Sequence, residues 1–377
     1  MTIPELLQKR AEELGEQTFI IFEERKYSYE EVQENASRVA ANLALHGIGK
    51  GDKVMLLMGN CMEFLYLFLG VGRIGAVVVP VNPLLKPDEI GYIATDAEAT
   101  TIVTIPDFAP MVPVVRKMLP QVQRIFVVGD KPVAETEPFS VLLEPVDSVP
   151  DIVVTEQDDA ALIYTSGTTG LPKGVVLTHR NYIWNALAVY HSTILRPSDR
   201  FFCILPLFHV NAQVVSVLTP MTGKVSLVLM GRFNALGILP LIERHKVSIM
   251  SAVPTIYALI CSNPKAKDYD LSSMRFFVSG AAPLPEETYD LTQRVLKKPI
   301  IQGYGLSEAT CASAVADSSD PIRWNSCGPA LRYCGVRIVS TEGKDVPPGE
   351  IGEILVSGPN VMKGYYKNPE ATAEVLK

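Results

Sequence analysis

"YTSGTTGLPKG" (164–174) packs four small hydroxyl side chains (Thr165, Ser166, Thr168, Thr169), three glycines and one lysine, Lys173, into eleven positions. Glycines let the backbone turn so that successive N–H groups face one point, and such a nest binds anions, phosphate above all. The hydroxyls add donors that rotate to fit, and Lys173 adds a full positive charge on a long stem. The run therefore suits a polyphosphate. It has neither the G-x-x-x-x-G-K-[ST] spacing of a Walker A loop nor the G-x-G-x-x-G of a dinucleotide fingerprint. A plain surface turn rich in Gly and Thr is the bland alternative. Against it stand the number of specified positions and the strand-like "AALIY" (160–164) that leads into the run.

Working outward, short β-branched runs alternate with helical patterns on both sides. "DKVMLLM" (52–58), "AVVVPV" (76–81), "TIVTI" (101–105) and "RIFVVGD" (124–130) read as buried strands before the run. After it come "RFFCILPLFHV" (200–210), "KVSLVLM" (224–230), "VSIMSAVP" (247–254), "RFFVSG" (275–280) and "PIIQGYG" (299–305). "NCMEF" (60–64) opens a helix, with Asn60 as its expected cap and Glu63 at the capping-box position, and Gly75 closes it. "ALGILPLIERH" (235–245) and "PTIYALICS" (254–262) are helical as well. This is βαβ logic, with strands suited to parallel sheets covered on both faces.

Residues 130–159, rich in Pro, Glu and Asp, read as a connection across the surface. Near the end, "GVRIVSTEGKDVPPGEIGEILVSG" (335–358) carries short alternating strands and tight turns. The expected fold class is α/β: two βαβ-type subdomains with mostly parallel sheets flanked by helices, and a smaller β-rich subdomain at the C-terminal end. The expected boundaries are about 1–155, 156–325 (with the phosphate loop) and 326–377.

The bulk composition is that of a globular protein, 47% hydrophobic and 20% charged over 377 residues. A net charge of −7 with no basic stripe gives no case for nucleic acid. The six cysteines form no Cys-x-x-Cys pair and read as buried free thiols of a reducing compartment. The N-terminus reads as an amphipathic helix interrupted by charges, not a signal peptide. The most apolar stretch, "FLYLFLGVGRIGAVVVPV" (64–81), is broken by Arg73 and Pro80 and is too interrupted to span a membrane. A cytoplasmic protein is the default reading. Peripheral membrane contact and oligomeric state stay open.

The 164–174 run resembles the signature of the adenylate-forming, AMP-binding superfamily: acyl-CoA synthetases, luciferases and adenylation domains of peptide synthetases. "KYSYEEV" (26–32), "SGAAPL" (279–284), "GYGLSE" (303–308) and "GEILVSGPNVMKGYYKNPEAT" (352–372) resemble further family segments in the family's order. The resemblance implies the luciferase-like N-terminal fold and a two-step reaction. A carboxylate attacks the α-phosphate of ATP, pyrophosphate leaves, and a thiol, here coenzyme A, takes the acyl group from the adenylate. Such chemistry needs charge stabilisation on the phosphates more than a protein nucleophile.

By the same resemblance, Thr165, Ser166, Gly167, Thr168, Thr169, Gly170 and Lys173 would hold the β- and γ-phosphates. Glu308, with Thr165, would serve Mg²⁺, an ion that prefers oxygen ligands. Gly280, Ala281 and Ala282 would wall the adenine, Tyr304, between Gly303 and Gly305, would stack on it, and Ser307 would reach the α-phosphate. Lys173, His209 and Glu308 would be the catalytic side chains.

"PLFHVNAQ" (206–213) resembles the acid-binding segment. Amino-acid adenylation domains have an Asp where this chain has His209. A buried ammonium left without that partner is expensive, so an α-amino acid is disfavoured. His209, Val210, Asn211, Gly280 and Gly305 would line the acyl pocket. Acetyl-specific relatives close its floor with a Trp at the position of Gly305, so an open floor fitting a medium- or long-chain fatty acid, or an arylalkanoic acid, is expected.

The family continues past "NPEAT" into a mobile C-terminal lid. The helix opened by Asn368 and Pro369 has no stop signal, so the sequence is expected to be a truncated N-terminal domain that binds acyl-AMP but adenylates poorly. The alternatives are an acyl-AMP ligase loading a carrier protein, a luciferase-like oxygenase, for which no luciferin pocket is legible, and a non-catalytic nucleotide or acyl binder.

Overall fold

The computed structural model describes residues 1–129, 133–146, 148–165, 170–317 and 323–377, and the chain divides into two compact units. The first comprises Met1–Arg180, Pro206–Val210 and Met362–Lys377, and the second Asn181–Leu205 and Asn211–Val361.

Along the first unit run α1 (Ile3–Leu14), β1 (Thr18–Phe22), β2 (Arg25–Ser28), α2 (Tyr29–Leu45), β3 (Lys53–Leu57), α3 (Met62–Gly70), β4 (Val77–Pro80), α4 (Pro87–Asp96), β5 (Ala99–Thr104), α5 (Val112–Met118), β6 (Arg124–Val127), β7 (Glu137–Pro138), β8 (Asp159–Thr165) and β9 (Lys173–Thr178). Helix α6 (His179–Thr193) begins there and continues in the second unit. The second unit then has β10 (Arg200–Cys203), a π-helical stretch (Ala212–Leu218), α7 (Thr219–Thr222), β11 (Ser226–Leu229), α8 (Ala235–His245), β12 (Ile249–Ala252), α9 (Pro254–Cys261), β13 (Phe276–Ser279), α10 (Glu286–Leu296), β14 (Ile300–Tyr304), β15 (Ala314–Val315), β16 (Gly335–Val339) and β17 (Glu353–Ser357). The chain returns to the first unit with β18 (Gly364–Tyr365) and α11 (Pro369–Val375).

In the first unit eight strands lie in the order β18-β9-β8-β4-β3-β5-β6-β7. From β8 to β7 every pairing is parallel, while β9 and β18 add antiparallel at the other edge. All four residues of β4 are buried, as a strand covered on both faces requires. Met55, Val79, Ile93, Ile102, Ile125 and Leu162 pack into one of its cores. In the second unit β14, β13, β12, β10 and β11 pair in parallel, β15 adds antiparallel to β14, and β16 and β17 form a separate antiparallel pair. The fold is therefore α/β with two largely parallel sheets flanked by helices and a small antiparallel sheet.

Three local expectations need correction. Asn60 does not cap α3, whose N-cap is Cys61 without a side-chain bond. Its Oδ1 instead accepts from the backbone N–H of Leu207 at 2.7 Å, tying down the segment that carries His209. Within 130–159 the chain is not all surface. β7 extends the sheet, Phe139 and Leu142 are buried, and Asn42 donates to the carbonyls of Leu142 and Glu144 at 3.1 and 3.0 Å. The six cysteines are free thiols, but Cys61, Cys327 and Cys334 are only half-buried. Among the described residues no helix is long and apolar enough to cross a membrane.

The N-terminal helix is docked by a buried histidine. Thr2 and Glu5 form its capping box, and the Ile3 N–H donates to Nδ1 of His179 at 3.3 Å. A Cβ on Gly72 would overlap the imidazole, so the glycine makes room for it. Accepting at Nδ1 requires the neutral Nε2–H tautomer, and Nε2 is buried without a partner. Burial lowers the His179 pKa to about 4, although Asp158 pulls the other way. The unfolded chain, with its ordinary value near 6.5, therefore takes up the proton first. Stability is whole above about pH 6.5 and falls as pH drops toward 4, by about 3 kcal/mol across the window. Urea unfolding at pH 7 and pH 5 should show this loss in the wild type and a smaller one in His179→Gln. Equal losses in both chains would remove His179 as the cause.

Candidate functional site

The phosphate-loop candidate is a β-hairpin connection. β8 and β9 pair antiparallel with Thr165 opposite Lys173, so both residues stand at the base of one loop. Ser166, Gly167, Thr168 and Thr169 lie outside the described residues. Gly170 has φ +121°, a conformation that favours glycine, with nothing within 4 Å of where a Cβ would be. The hairpin base is buttressed from within the first unit. Tyr164 donates its hydroxyl to Asp96 Oδ2 at 2.6 Å, and Lys173 Nζ lies 5.2 Å from the centroid of the Tyr365 ring.

His209 and Val210 belong to the same unit. The turn is closed by His209 N–H donating to Pro206 O at 3.0 Å, and the Phe208 and His209 rings lie 4.6 Å apart. His209 is solvent-exposed, yet the desolvation of its ring lowers its pKa below the ordinary value, which favours the neutral form.

In the second unit the remaining candidates gather at the carboxyl ends of the parallel strands, where open α/β sheets bind ligands. β13 pairs with β14 in register Ser279↔Gln302, so Gly280–Ala282 and Gly303–Gly305 emerge at the same edge. A Cβ on Gly280 would lie 3.5 Å from Gly303 O, an ordinary contact, and Ala281 sits at φ +64°. The hydroxyl of Ser279 is buried without a partner at the root of this turn. Asn211 joins the same edge by accepting from Ser251 Oγ at 3.3 Å. Burial pushes the thiol of Cys311 up to about 12 despite a hydrogen bond from Asn211, which leaves it inert.

Ser307 and Glu308 occupy a 3-10 turn, Ser307–Ala309, directly after β14. Its shape is set by residues the sequence reading did not single out. Thr310 has φ +64°, and its hydroxyl donates to Asn360 O at 2.6 Å. The Asn360 side chain donates to Ala309 O at 3.2 Å. Asn181 in turn donates to the carbonyls of Pro359 and Val361, both at 2.8 Å. Asn185 holds both backbone polar groups of Ala312, accepting from its N–H at 3.1 Å and donating to its carbonyl at 2.7 Å. Asn360 lies in the quoted 352–372 segment, but nothing in that string announces a partner 50 positions away.

Gly305 takes a different meaning from the expected one. A Cβ there would overlap the Cys311 carbonyl, so the absent side chain is required by backbone packing and does not by itself argue for a long acid. Among the described residues no group of three His, Cys, Asp or Glu could hold a metal ion. The single carboxylate of Glu308 fits a Mg²⁺ that takes its other oxygens from phosphate and water.

Residues 7–366 match the family model described as AMP-binding enzyme, and the chain belongs to that family. It is 36% identical over 369 residues to a 4-coumarate–CoA ligase of Pinus taeda, covering 94% of this chain and 67% of that protein. It is 35% identical over 355 residues to a feruloyl-CoA synthase of an Amycolatopsis species, covering 93% and 68%. The chain thus spans about two thirds of the length of the curated relatives it matches. Among solved structures, the anthranilate CoA ligase AuaEII in complex with anthranoyl-AMP superposes with a TM-score of 0.94 at 28% identity, covering 99% of this chain and 73% of that one. The N-terminal domain of FACL13 from Mycobacterium tuberculosis superposes at 0.91 and 28%, covering 100% and 94%.

Replacing Gly305 with Ala should cost about 1–3 kcal/mol, the range for overpacking against atoms that cannot move aside. Chemical denaturation measures it. A neutral result would show that the 311–312 backbone yields, and that Gly305 is free to report on pocket size.

Proposed function

We propose that this chain binds ATP and a hydrophobic carboxylic acid and forms the acyl-adenylate of an acid–CoA ligase. The observation that carries the reading is Lys173 at the base of the β8–β9 hairpin, in a chain whose family is defined by AMP binding. In this reading Thr165, Lys173 and residues 166–170 hold the β- and γ-phosphates. Gly280–Ala282 and Tyr304 hold adenine, and Ser307 reaches the α-phosphate. Glu308 would bind Mg²⁺, which supplies charge neutralisation on the phosphates. Neutral His209 lies beside the acid, with Val210 and Asn211. These residues stabilise charge as pyrophosphate leaves, and none of them acts as a covalent nucleophile.

Two acid classes are carried forward. A medium- or long-chain fatty acid follows from the family resemblance. An aryl acid is favoured by the relatives, which are named for 4-coumarate and ferulate, and by the Gly305 contact, which removes one argument for chain length. Coenzyme A is the proposed acyl acceptor.

Thermal shift with Mg-ATP, then with adenylate analogues of 4-coumarate and of dodecanoate, tests the reading, because a ligand that binds only the folded state raises the melting temperature. Mg-ATP should stabilise the wild type. Lys173→Met should bind it about tenfold or more weakly, the cost of a lost charge-assisted bond. Glu308→Gln should lose most of the benefit of Mg²⁺. No stabilisation by any of these ligands would sink the proposal. The larger shift of the two analogues names the acid class.

A further inference from the structure

We propose that Tyr365 is a positioning residue for Lys173, its ring holding the ammonium group at the base of the hairpin without neutralising it. This rests on the reading of Lys173 as a polyphosphate ligand and adds a residue that the reading does not contain.

Lys173 Nζ lies 5.2 Å from the Tyr365 ring centroid, inside the range over which an aromatic face attracts a cation. Two nearby lysines carry a carboxylate partner, one of them, Lys367, while also lying 5.5 Å from the Tyr366 ring centroid. Lys363 pairs with Asp159 at 2.7 Å and Lys367 with Glu98 at 2.6 Å. Among the described residues no carboxylate forms an ion pair with Lys173. The difference matters for an anion site. A carboxylate partner would compete with phosphate for the ammonium, whereas a ring face restrains the long, freely rotating stem and leaves the charge available.

The ring is itself held in place by the backbone. β18 pairs antiparallel with β9, Gly364 opposite Val176 and Tyr365 opposite Val175. Lys363 N–H donates to Val176 O at 3.0 Å and Tyr366 N–H to Gly174 O at 2.7 Å, so hydrogen bonds bracket the residue. From the other side Tyr365 N–H donates to Thr372 Oγ1 at 2.9 Å, and that hydroxyl donates to Asn368 O at 2.8 Å. The Asn368 side chain caps α11 through Ala371 N–H at 3.0 Å. Gly364, at φ +150°, has Thr372 Cγ2 3.0 Å from where a Cβ would be, which lets this short strand turn tightly into the helix. The 362–375 strap thus fixes a ring beneath a lysine nearly two hundred positions earlier.

The test uses the whole chain with ATP, pyrophosphate and AMP as probes, on the wild type, Tyr365→Leu and Tyr365→Phe. The leucine variant should bind ATP and pyrophosphate about two- to fivefold more weakly, the scale of an exposed cation–π contact. AMP, which lacks the phosphates assigned to Lys173, should bind unchanged, and the phenylalanine variant, which keeps the ring, should lose less than the leucine variant. A parallel loss of AMP binding, or equal losses in both variants, would overturn the inference. A second readout needs no nucleotide: labelling of Lys173 by an amine-selective reagent, followed by peptide mass spectrometry, should be faster in Tyr365→Leu than in the wild type. Unchanged labelling would overturn the role of the ring alone, whereas a wild-type chain that binds neither ATP nor pyrophosphate would overturn the ligase reading beneath it.

Discussion

The close passage of two backbones at Gly305 and Cys311 is the constraint on which the second unit's candidate residues depend. No side chain fits between them, and the passage is locked from behind by Asn185 on Ala312 and by Ser313 N–H donating to Tyr304 O at 2.8 Å. The chain must then turn tightly between residues 305 and 311. That forces Thr310 into a left-handed conformation, which Asn360 stabilises by accepting its hydroxyl. Ser307 and Glu308 are presented on this turn. Their geometry comes from asparagines buried in other elements, so a carboxylate on a short loop gains the rigidity of a packed core.

Lys173 in the first unit is organised by a different device. There the supporting group is an aromatic face carried on a strand that joins the sheet at its edge, after the chain has left the unit and returned. Both devices serve the same physical need. Under the proposed function, a group that meets a polyphosphate gains from being restrained before the ligand arrives, because ordering it takes away from the binding energy. An asparagine suits a backbone turn, since its amide satisfies a donor and an acceptor at once. A ring suits a lysine, since it restrains without forming an ion pair.

Membership of the AMP-binding family and the choice of acid are separate questions. Membership follows from a match over residues 7–366. The acid depends on the depth and lining of a cavity, and at Gly305 the same missing side chain is explained by backbone packing as readily as by substrate length. Two methylenes alter burial by only about 1–2 kcal/mol, too little to be read from single residues.

By itself the sequence determined the fold class and where most elements run. Parallel strands buried on both faces read as near-continuous apolar runs, so β3, β4, β5, β10, β11, β12 and β13 are visible as such, and α8 falls on the residues read as helical. It also made the hairpin run at 164–174 and the order of the family segments legible, because glycine, hydroxyl and lysine chemistry is local. What lay beyond it were partnerships across long separations. Asn60 had the look of a helix cap and instead holds Leu207. His179 looked like nothing in particular and docks the N-terminal helix. Asn360, Asn185 and Tyr365 gained their roles only when tertiary structure brought Thr310, Ala312 and Lys173 beside them. The reason is physical: propensity and periodicity act within a few residues, whereas a hydrogen bond or a ring contact is decided by which distant atoms packing leaves a few ångströms apart.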